Sequence, residues 1–173
     1  MRSCSPILLC SALLVSACGA SDTGAGEDAA EAAEAEALGS YTIDPESGEV
    51  RATHTDAAGV TTTMRAGENV PVRWPEPFTA YPGAEITNTT RVEQGEGAFV
   101  TVEFTTSDTR ADVVEFYRKQ AIEAGVEPEI EVSGGETTTL GGENRDRKAS
   151  FALQVTRVEG RTEGQISVTR GFD

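Results

Sequence analysis

The fold is decided by residues 86–125, ITNTTRVEQGEGAFVTVEFTTSDTRADVVEFYRKQAIEAG, which predict a β-hairpin followed directly by a helix. Apolar and polar residues alternate along 86–92 and again along 100–104, and this period of two is typical of strands with one buried face. Between the two runs, residues 94–97 (QGEG) have the composition of a tight turn. We therefore expect two antiparallel strands joined by this turn.

The same stretch predicts a helix from about Thr109 to Ala124. Ser107 or Asp108 is the expected N-cap, and Gly125 is the expected end, because glycine adopts the left-handed conformation that closes many helices. Apolar residues recur at helical spacing along one broad face, which comprises Val113, Val114, Phe116, Tyr117, Ala121 and Ala124. This face should pack on the sheet.

Strand patterns on both sides of this unit complete the expected fold. Residues 41–65 read as strands separated by turns, which predicts a hairpin or a meander. Three further strands are expected at 126–132, 150–158 and 165–170. The fold class is therefore expected to be α+β, an antiparallel sheet of about five to seven strands with one main α-helix packed on one face.

Residues 70–83 (VPVRWPEPFTAYPG) contain four prolines and should be irregular and extended. Trp74, Phe78 and Tyr81 are expected to hold this segment against the core. They are apolar anchors in this interpretation and not binding-site residues.

One internal echo links distant parts of the chain. Residues 61–69 (TTTMRAGEN) resemble residues 137–144 (TTTLGGEN). Two copies are too few for a repeat protein. Shared strand-then-turn chemistry explains the similarity more simply than duplication, which is the alternative.

The N-terminus has the layout of an export signal. Arg2 precedes the apolar run 6–15, which is too short to span a bilayer that needs roughly 20 apolar residues. Residues 14–18 (LVSAC) resemble a bacterial lipobox, and this resemblance implies cleavage before Cys18. Residues 1–17 are therefore expected to be a lipoprotein signal peptide. The alternative is a plain signal peptide in which Cys18 is incidental.

The lipobox resemblance also implies how the mature chain is held at a membrane. It predicts a diacylglycerol thioether on Cys18, usually with a further acyl chain such as palmitate on the new amino group. Cys18 is the only cysteine left after cleavage, because Cys4 and Cys10 lie in the signal. Gly19 replaces the aspartate that commonly retains lipoproteins in the inner membrane, so the outer membrane facing the periplasm is favoured. A Gram-positive or surface-exposed placement is the alternative.

Residues 18–40 are expected to link the lipidated cysteine to the domain. Beyond Cys18 the segment is almost wholly Ala, Gly, Glu and Asp, with too little apolar surface to offset the entropy of ordering. A spacer that holds the domain away from the bilayer is the favoured interpretation, and an acidic interaction tail is the alternative. Residues 41–173 then form a single α+β domain.

The charge of the chain bears on its partners. A formal net charge of −15 and the absence of a Lys/Arg cluster argue against nucleic-acid binding. The expected partners are membrane lipid, through acylated Cys18, and a protein or small molecule that the sequence does not identify.

Part of the domain resembles a known group of proteins. The pieces that carry the resemblance are YPGA at 81–84, FTTSD at 104–108 and VVEFYR at 113–118, together with the DPESGEV start at 44–50. With the lipobox, they are similar to uncharacterised small envelope lipoproteins of Proteobacteria. The resemblance implies an α+β domain in the cell envelope, and it implies no activity.

Catalytic and metal-binding signatures are absent from the sequence. His54 is the only histidine and lies in an expected strand, and no serine sits in a Gly-x-Ser-x-Gly elbow. We therefore expect no cofactor, no metal and no catalytic residue, and Cys18 is the one candidate site residue, for lipidation. Glu127, Glu129 and Glu131 alternate and are expected to form a solvated sheet face.

These observations favour a non-enzymatic envelope lipoprotein whose domain binds a partner or supports envelope structure. The alternative is a hydrolase that uses carboxylates to act on glycans. Two convergent carboxylates in a concave pocket would favour that alternative.

Overall fold

The computed structural model describes residues 39–172, which form one antiparallel sheet and one helix. The five strands before the helix are β1 (Gly39–Ile43), β2 (Val50–Thr55), β3 (Thr61–Gly67), β4 (Glu85–Gln94) and β5 (Gly97–Thr106). The helix α1 (Arg110–Glu123) follows, and after it come β6 (Ile130–Gly134), β7 (Thr137–Asn144), β8 (Ala149–Val158) and β9 (Arg161–Arg170).

The strands are arranged as two meanders that meet in the middle of the sheet. The order across the sheet is β1-β2-β3-β4-β5-β9-β8-β7-β6, and every neighbouring pair is antiparallel. Because α1 connects β5 to the far edge strand β6, it lies across one face of the sheet. The expected antiparallel sheet with one packed helix is thus confirmed.

The expected strand count was too low, since residues 39–172 contain nine strands rather than five to seven. The strand missing from the prediction is β7, although its first residues were recognised as similar to those that form β3. Gly141 and Gly142 in its second half interrupt the apolar alternation that identifies strands. The pairing of β7 with both β6 and β8 outweighs that weak local preference.

The bounds of α1 agree with the prediction, but its N-cap does not. Thr109 is the N-cap, and its side chain accepts a hydrogen bond from the backbone N–H of Asp112 at 3.2 Å. Neither Ser107 nor Asp108 caps the helix; the Asp108 carboxylate instead accepts a hydrogen bond from the Tyr81 hydroxyl at 2.8 Å. Gly125 has φ +75° and ends the helix as expected.

The core lies between α1 and the central strands. Alternate residues of β5, β8 and β9 face the helix, and those that are almost fully buried include Val100, Val102, Phe104, Leu153, Val155, Ile166 and Val168. From α1, Val113, Tyr117 and Ala121 are buried against them, as the helical spacing predicted. Phe104 packs under Gly164 on the neighbouring strand, where a Cβ atom would lie 2.3 Å from its ring.

The proline-rich segment between β3 and β4 runs over the helix-covered face of the sheet, and we call residues 70–84 the strap. Phe78 and Tyr81 are buried in the core, and Trp74 is partly buried against it. The expectation that these aromatics anchor the segment is confirmed. They therefore do not form an exposed apolar patch.

Glu127, Glu129 and Glu131 do not share one strand, and that prediction was wrong. Only Glu131 lies in a strand, because β6 begins at Ile130. Residues before it cross the face of β7, with the Glu127 carbonyl directly over Gly142. All three side chains are exposed, and Glu131 accepts a hydrogen bond from Arg118 of the helix at 2.8 Å.

The first strand starts two residues inside the segment expected to be a linker, since Gly39 and Ser40 belong to β1. The expected signal peptide, Cys18 and the rest of the linker lie outside the described residues. No helix within 39–172 has the length and apolar character needed to cross a membrane.

An ion-paired cluster beside β2 and β3 predicts how stability depends on pH. Glu49 accepts hydrogen bonds from Nε of Arg65 at 2.6 Å and Nε of Arg51 at 2.8 Å. These bonds, that from Arg65 first, lower the pKa of Glu49 from 4.5 to about 2. Since the folded-state pKa is depressed, the stabilisation is complete above the unfolded-state value and is lost as pH falls towards 2.

We therefore expect Glu49→Gln to flatten the fall in stability between pH 4.5 and 2. Urea unfolding across this range measures the effect. Glu46→Gln is the matched control, because Glu46 is an exposed neighbour that forms no ion pair within the described residues. Equal pH profiles for the wild type and Glu49→Gln would contradict the prediction.

Candidate functional site

The best-formed cavity lies between the C-terminal end of α1 and the sheet, and it has a volume of about 270 Å³. Its apolar lining comes from Phe78, Ala124, Val126, Ala149 and Val168. Its polar lining includes Glu76, Arg147 and Arg170. This volume is close to the lower end of the roughly 300–1,000 Å³ typical of ligand pockets. The cavity can thus hold a small molecule with an apolar part.

Strand register explains how the sheet supplies one wall of this cavity. Val168 pairs with Phe151 and Val100, so these side chains share the face covered by the helix. Two residues further along β9, Arg170 pairs with Ala149 and therefore lies on the same face. The sheet wall consequently changes from buried and apolar to charged at its end.

The helix end supplies the opposite wall. Val126 is buried, and its backbone N–H bonds to the carbonyl of Ala121 at 2.9 Å, which holds the chain close to the helix after Gly125. Asn144 donates to the Gly125 carbonyl at 2.6 Å and so ties the β7–β8 turn to this end of α1. Arg147, in that turn, donates to the Ala124 carbonyl at 3.3 Å.

The strap forms the third side of the cavity. Phe78 packs against Phe151 with ring centroids 6.2 Å apart. Thr79 and Gln120 exchange two hydrogen bonds, of 3.0 and 2.8 Å, which attach the strap to α1. Arg170 donates to the Glu76 carbonyl at 3.0 Å and attaches the strap to β9. The strap is therefore held to both walls.

A buried tyrosine pair, away from the cavity, joins the strap to the middle of the helix. The Tyr117 hydroxyl accepts a hydrogen bond from the backbone N–H of Tyr81 at 3.1 Å. Burial raises the pKa of Tyr117, and burial with the Asp108 hydrogen bond raises the pKa of Tyr81 to about 12. Both hydroxyls are protonated at neutral pH, so this pair acts as a structural contact and offers no general base.

A second, shallower concavity of about 370 Å³ lies on the opposite face of the sheet. Glu103 of β5 and Glu163 of β9 both line it, together with threonine and glutamine side chains from β5, β8 and β9. Glu103 pairs with Gln165, so Glu163 is its diagonal neighbour across the two strands. Phe104 also lines this surface, so its lining is mixed polar and apolar.

The residues considered for chemistry from the sequence do not meet at a site. His54 is exposed on β2, on the sheet face opposite the helix. Among residues 39–172, no group of three His, Cys, Asp or Glu side chains is placed to hold a metal ion. Cys18 lies outside that range.

Sequence reasoning missed the cavity residues that carry charge. Arg147 and Arg170 are 23 positions apart, and neither belongs to a recognisable motif. Their common location depends on the β8–β9 pairing and on the contact between the turn and the helix end. Their positive charge in a strongly acidic chain is the one feature of the sequence that could have pointed to these two residues.

Neither the curated proteins nor the solved structures include a match to this chain. A family model described as START domain-like matches residues 86–168, from β4 to β9, which is a little under half of the chain. The segment that contains α1 and most of the cavity is thus similar to START domain-like proteins.

Proposed function

We propose that this protein is a lipid-anchored, non-enzymatic envelope protein whose domain binds a small molecule with an apolar body. The observation that supports binding is the cavity between the end of α1, β8, β9 and the strap. Its inner surface is apolar and includes buried Phe78, Val126 and Val168, while charged groups stand at one side. Such a combination of apolar walls with few polar groups is characteristic of small-molecule sites.

The match to START domain-like proteins supports the same location. The matched residues contain Ala124, Val126, Arg147, Ala149 and Val168, which account for most of the named lining. The strap and Arg170 lie outside the match. We propose that they adapt this chain's cavity to its own ligand.

The anchor is proposed from the sequence of residues 1–19 alone. Lipid on Cys18 would hold the domain at the outer membrane, facing the periplasm, with residues up to 38 between lipid and domain. Several acyl chains, at ~0.8 kcal/mol per buried CH₂, would make the attachment durable.

Native mass spectrometry of the full-length protein, extracted from its own membranes, tests both parts of the proposal. We expect a chain that starts at Cys18 and carries acyl groups, together with a small co-purifying mass that is released on unfolding. A mature chain without acyl mass would contradict the anchor. A chain that carries no small molecule, and that binds none when the probes described below are added, would contradict ligand binding.

Filling the cavity should abolish binding without unfolding the domain. Ala149→Phe places a ring on the helix-covered side of β8, where Ala149 lines the cavity. Ala152→Phe is the matched control, because Ala152 is exposed on the opposite face of the same strand. We expect the first variant alone to lose the co-purifying molecule, measured by native mass spectrometry, with thermal unfolding as the check on folding.

A second candidate function is a carboxylate-dependent hydrolase that acts on glycans. Glu103 and Glu163 favour it, since both line the concavity on the open face. Diagonal neighbours on adjacent strands are about 7–8 Å apart. Inverting glycosidases place their carboxyl groups about 6.5–9.5 Å apart, a separation that two glutamate side chains rooted at this backbone spacing can reach.

Glycan hydrolysis by the wild type, lost in Glu103→Gln and Glu163→Gln, would support this candidate over simple binding. Glu96→Gln is the control, because Glu96 is exposed in the β4–β5 turn away from the concavity. Absence of reducing-end release from a panel of cell-envelope glycans would exclude the hydrolase.

A further inference from the structure

The mouth of the cavity carries arginines without carboxylate partners, in a chain whose net charge is −15. Arg147 and Arg170 both line the cavity, and within residues 39–172 neither forms an ion pair. Arg145, in the same turn as Arg147, pairs with Glu143 at 2.7 Å. Both are exposed side chains, and what distinguishes them from the other arginines of residues 39–172 that form no ion pair is that they line the cavity.

Each of these guanidinium groups is held by one hydrogen bond, and only part of its hydrogen-bonding capacity is satisfied. A guanidinium has five N–H donors. Arg147 uses one for the Ala124 carbonyl, and Arg170 uses one for the Glu76 carbonyl. The remaining N–H donors of both side chains form no hydrogen bond within residues 39–172.

The helix dipole explains the position of only one of the two arginines. A cation near the last carbonyls of a helix is stabilised by the helix dipole, and this accounts for Arg147, whose Nη1 lies 2.8 Å from where a Cβ on Gly125 would be. Arg170 lies on the sheet wall, at the end of β9, and has no helix end to satisfy. Glu76 also lines the cavity, so two cationic residues and one acidic residue surround it.

We infer that the ligand of this cavity carries an anionic group, a carboxylate or a phosphate, bound by Arg147 and Arg170 while its apolar body lies against Phe78, Val126 and Val168. The inference rests on the proposed function and names the chemical class of its ligand. Guanidinium groups present paired donors that match carboxylate and phosphate oxygens, and such charge-assisted bonds are about twice as strong as neutral ones. The ligand is thus a small amphipathic anion.

The overall charge of the protein makes this inference easy to test. A field from a net charge of −15 attracts cations and repels anions. Among molecules with the same tail, an effect of net charge alone would make an amine bind most tightly, an alcohol less tightly and a carboxylate least tightly. Recognition by the two arginines predicts the reverse order.

The experiment is calorimetric titration of the full chain in nanodiscs at pH 7, with empty nanodiscs as the blank. The probes are octanoate, octyl phosphate, 1-octanol and octylamine, which share one tail and differ in the head group. We expect one of the two anions to bind about 10-fold more tightly than 1-octanol, and octylamine to bind most weakly.

Substitutions of the two arginines test whether these residues cause the preference for anions. Arg147→Gln and Arg170→Gln should each weaken anion binding by about 10-fold, and should weaken 1-octanol binding much less. Arg145→Gln removes the same charge from the same turn but does not line the cavity, so it should retain the wild-type preference. Should the glutamine variants lose 1-octanol binding too, Arg147→Lys and Arg170→Lys, which keep the charge and a donor, should restore it together with the preference for anions.

The outcomes separate this inference from the proposed function. If 1-octanol and the anions bind equally well, the cavity binds apolar molecules and the anionic inference is overturned. A preference for anions that persists in the double glutamine variant overturns the assignment to Arg147 and Arg170. If none of the four probes binds, the anionic inference is overturned, and if no small molecule co-purifies either, the proposed function itself is contradicted.

Discussion

Replacing Tyr117 by alanine is expected to lower the free energy of unfolding by about 3–5 kcal/mol, the usual cost of truncating a buried aromatic residue. Tyr117 is fully buried at the centre of the interface between α1 and the sheet. Its ring lies 5.0 Å from that of Phe116 in a T-shaped arrangement and 5.9 Å from that of Phe104. The truncation would leave a cavity between the helix and β5.

The hydroxyl of Tyr117 can be assessed separately from the ring. Tyr117→Phe removes the acceptor of the Tyr81 backbone N–H, which is buried, so we expect a loss of about 1–3 kcal/mol. Urea denaturation measures both variants. Tyr41→Ala is the control, because Tyr41 is 63% exposed and should change stability by no more than about 0.5 kcal/mol.

A small loss for Tyr117→Ala would contradict the packing of α1 described above. A loss of less than about 1 kcal/mol in the free energy of unfolding is typical of substitutions at surface or half-buried positions. It would mean that the helix does not rest on the sheet through this side chain.

The second large effect is expected at Gly142 in β7. A Cβ atom at this position would lie 2.2 Å from the Glu127 carbonyl oxygen and 3.3 Å from the Cα of Pro128. Both are backbone atoms, so a side-chain rotation cannot relieve the contact. Gly142→Ala must displace the chain between α1 and β6, and we expect a loss of about 3 kcal/mol, at the upper end of overpacking costs.

The displacement would extend to the edge of the sheet. The Glu129 N–H bonds to the Gly141 carbonyl at 2.9 Å, and β6 begins at the next residue. Gly134→Ala is the matched control, since Gly134 lies in β6 and a Cβ there would meet no atom within 4 Å. Thermal unfolding of the two variants measures the difference, and equal melting temperatures would contradict the close contact at Gly142.

The cavity would also respond to the Gly142 substitution. Val126 lies next to Glu127 in the displaced segment and lines the cavity. If the proposed function is correct, Gly142→Ala should weaken ligand binding as well as stability, whereas Gly134→Ala should change neither.

The local sequence pattern was sufficient to predict those parts of the fold that depend on residues close in sequence. The hairpin of β4 and β5 and the helix α1 followed from periodicity and from the turn and end glycines at 95, 97 and 125. The N-cap was wrong because several residues in Ser107-Asp108-Thr109 have capping side chains. Tertiary contact decided among them, since Asp108 is engaged by Tyr81 of the strap.

The alternation of apolar and polar residues did not predict strands correctly where a strand depends on pairing with its neighbours. The glycines of β7 give it little intrinsic strand preference, and the strand expected at 126–132 is instead β6, Ile130–Gly134, which is short and has all its residues exposed. Pairing with an already formed strand supplies the backbone hydrogen bonds that make such segments extended. The same limit applies to residues 126–129, whose alternation resembles a strand although they cross the face of β7.

By itself, the sequence determined the fold class, the central hairpin and helix, the anchoring role of the strap aromatics and the acidity that argues against nucleic-acid binding. It is also the whole basis for the predicted lipid anchor at Cys18. These properties are encoded by adjacent residues or by composition. Only the tertiary structure decided the strand order, the contact over Gly142 and the cavity, which joins Phe78, Val126, Arg147 and Arg170 from separate parts of the chain. The physical reason is that long-range strand pairing and helix packing bring these side chains together, and neither leaves a local period in the sequence.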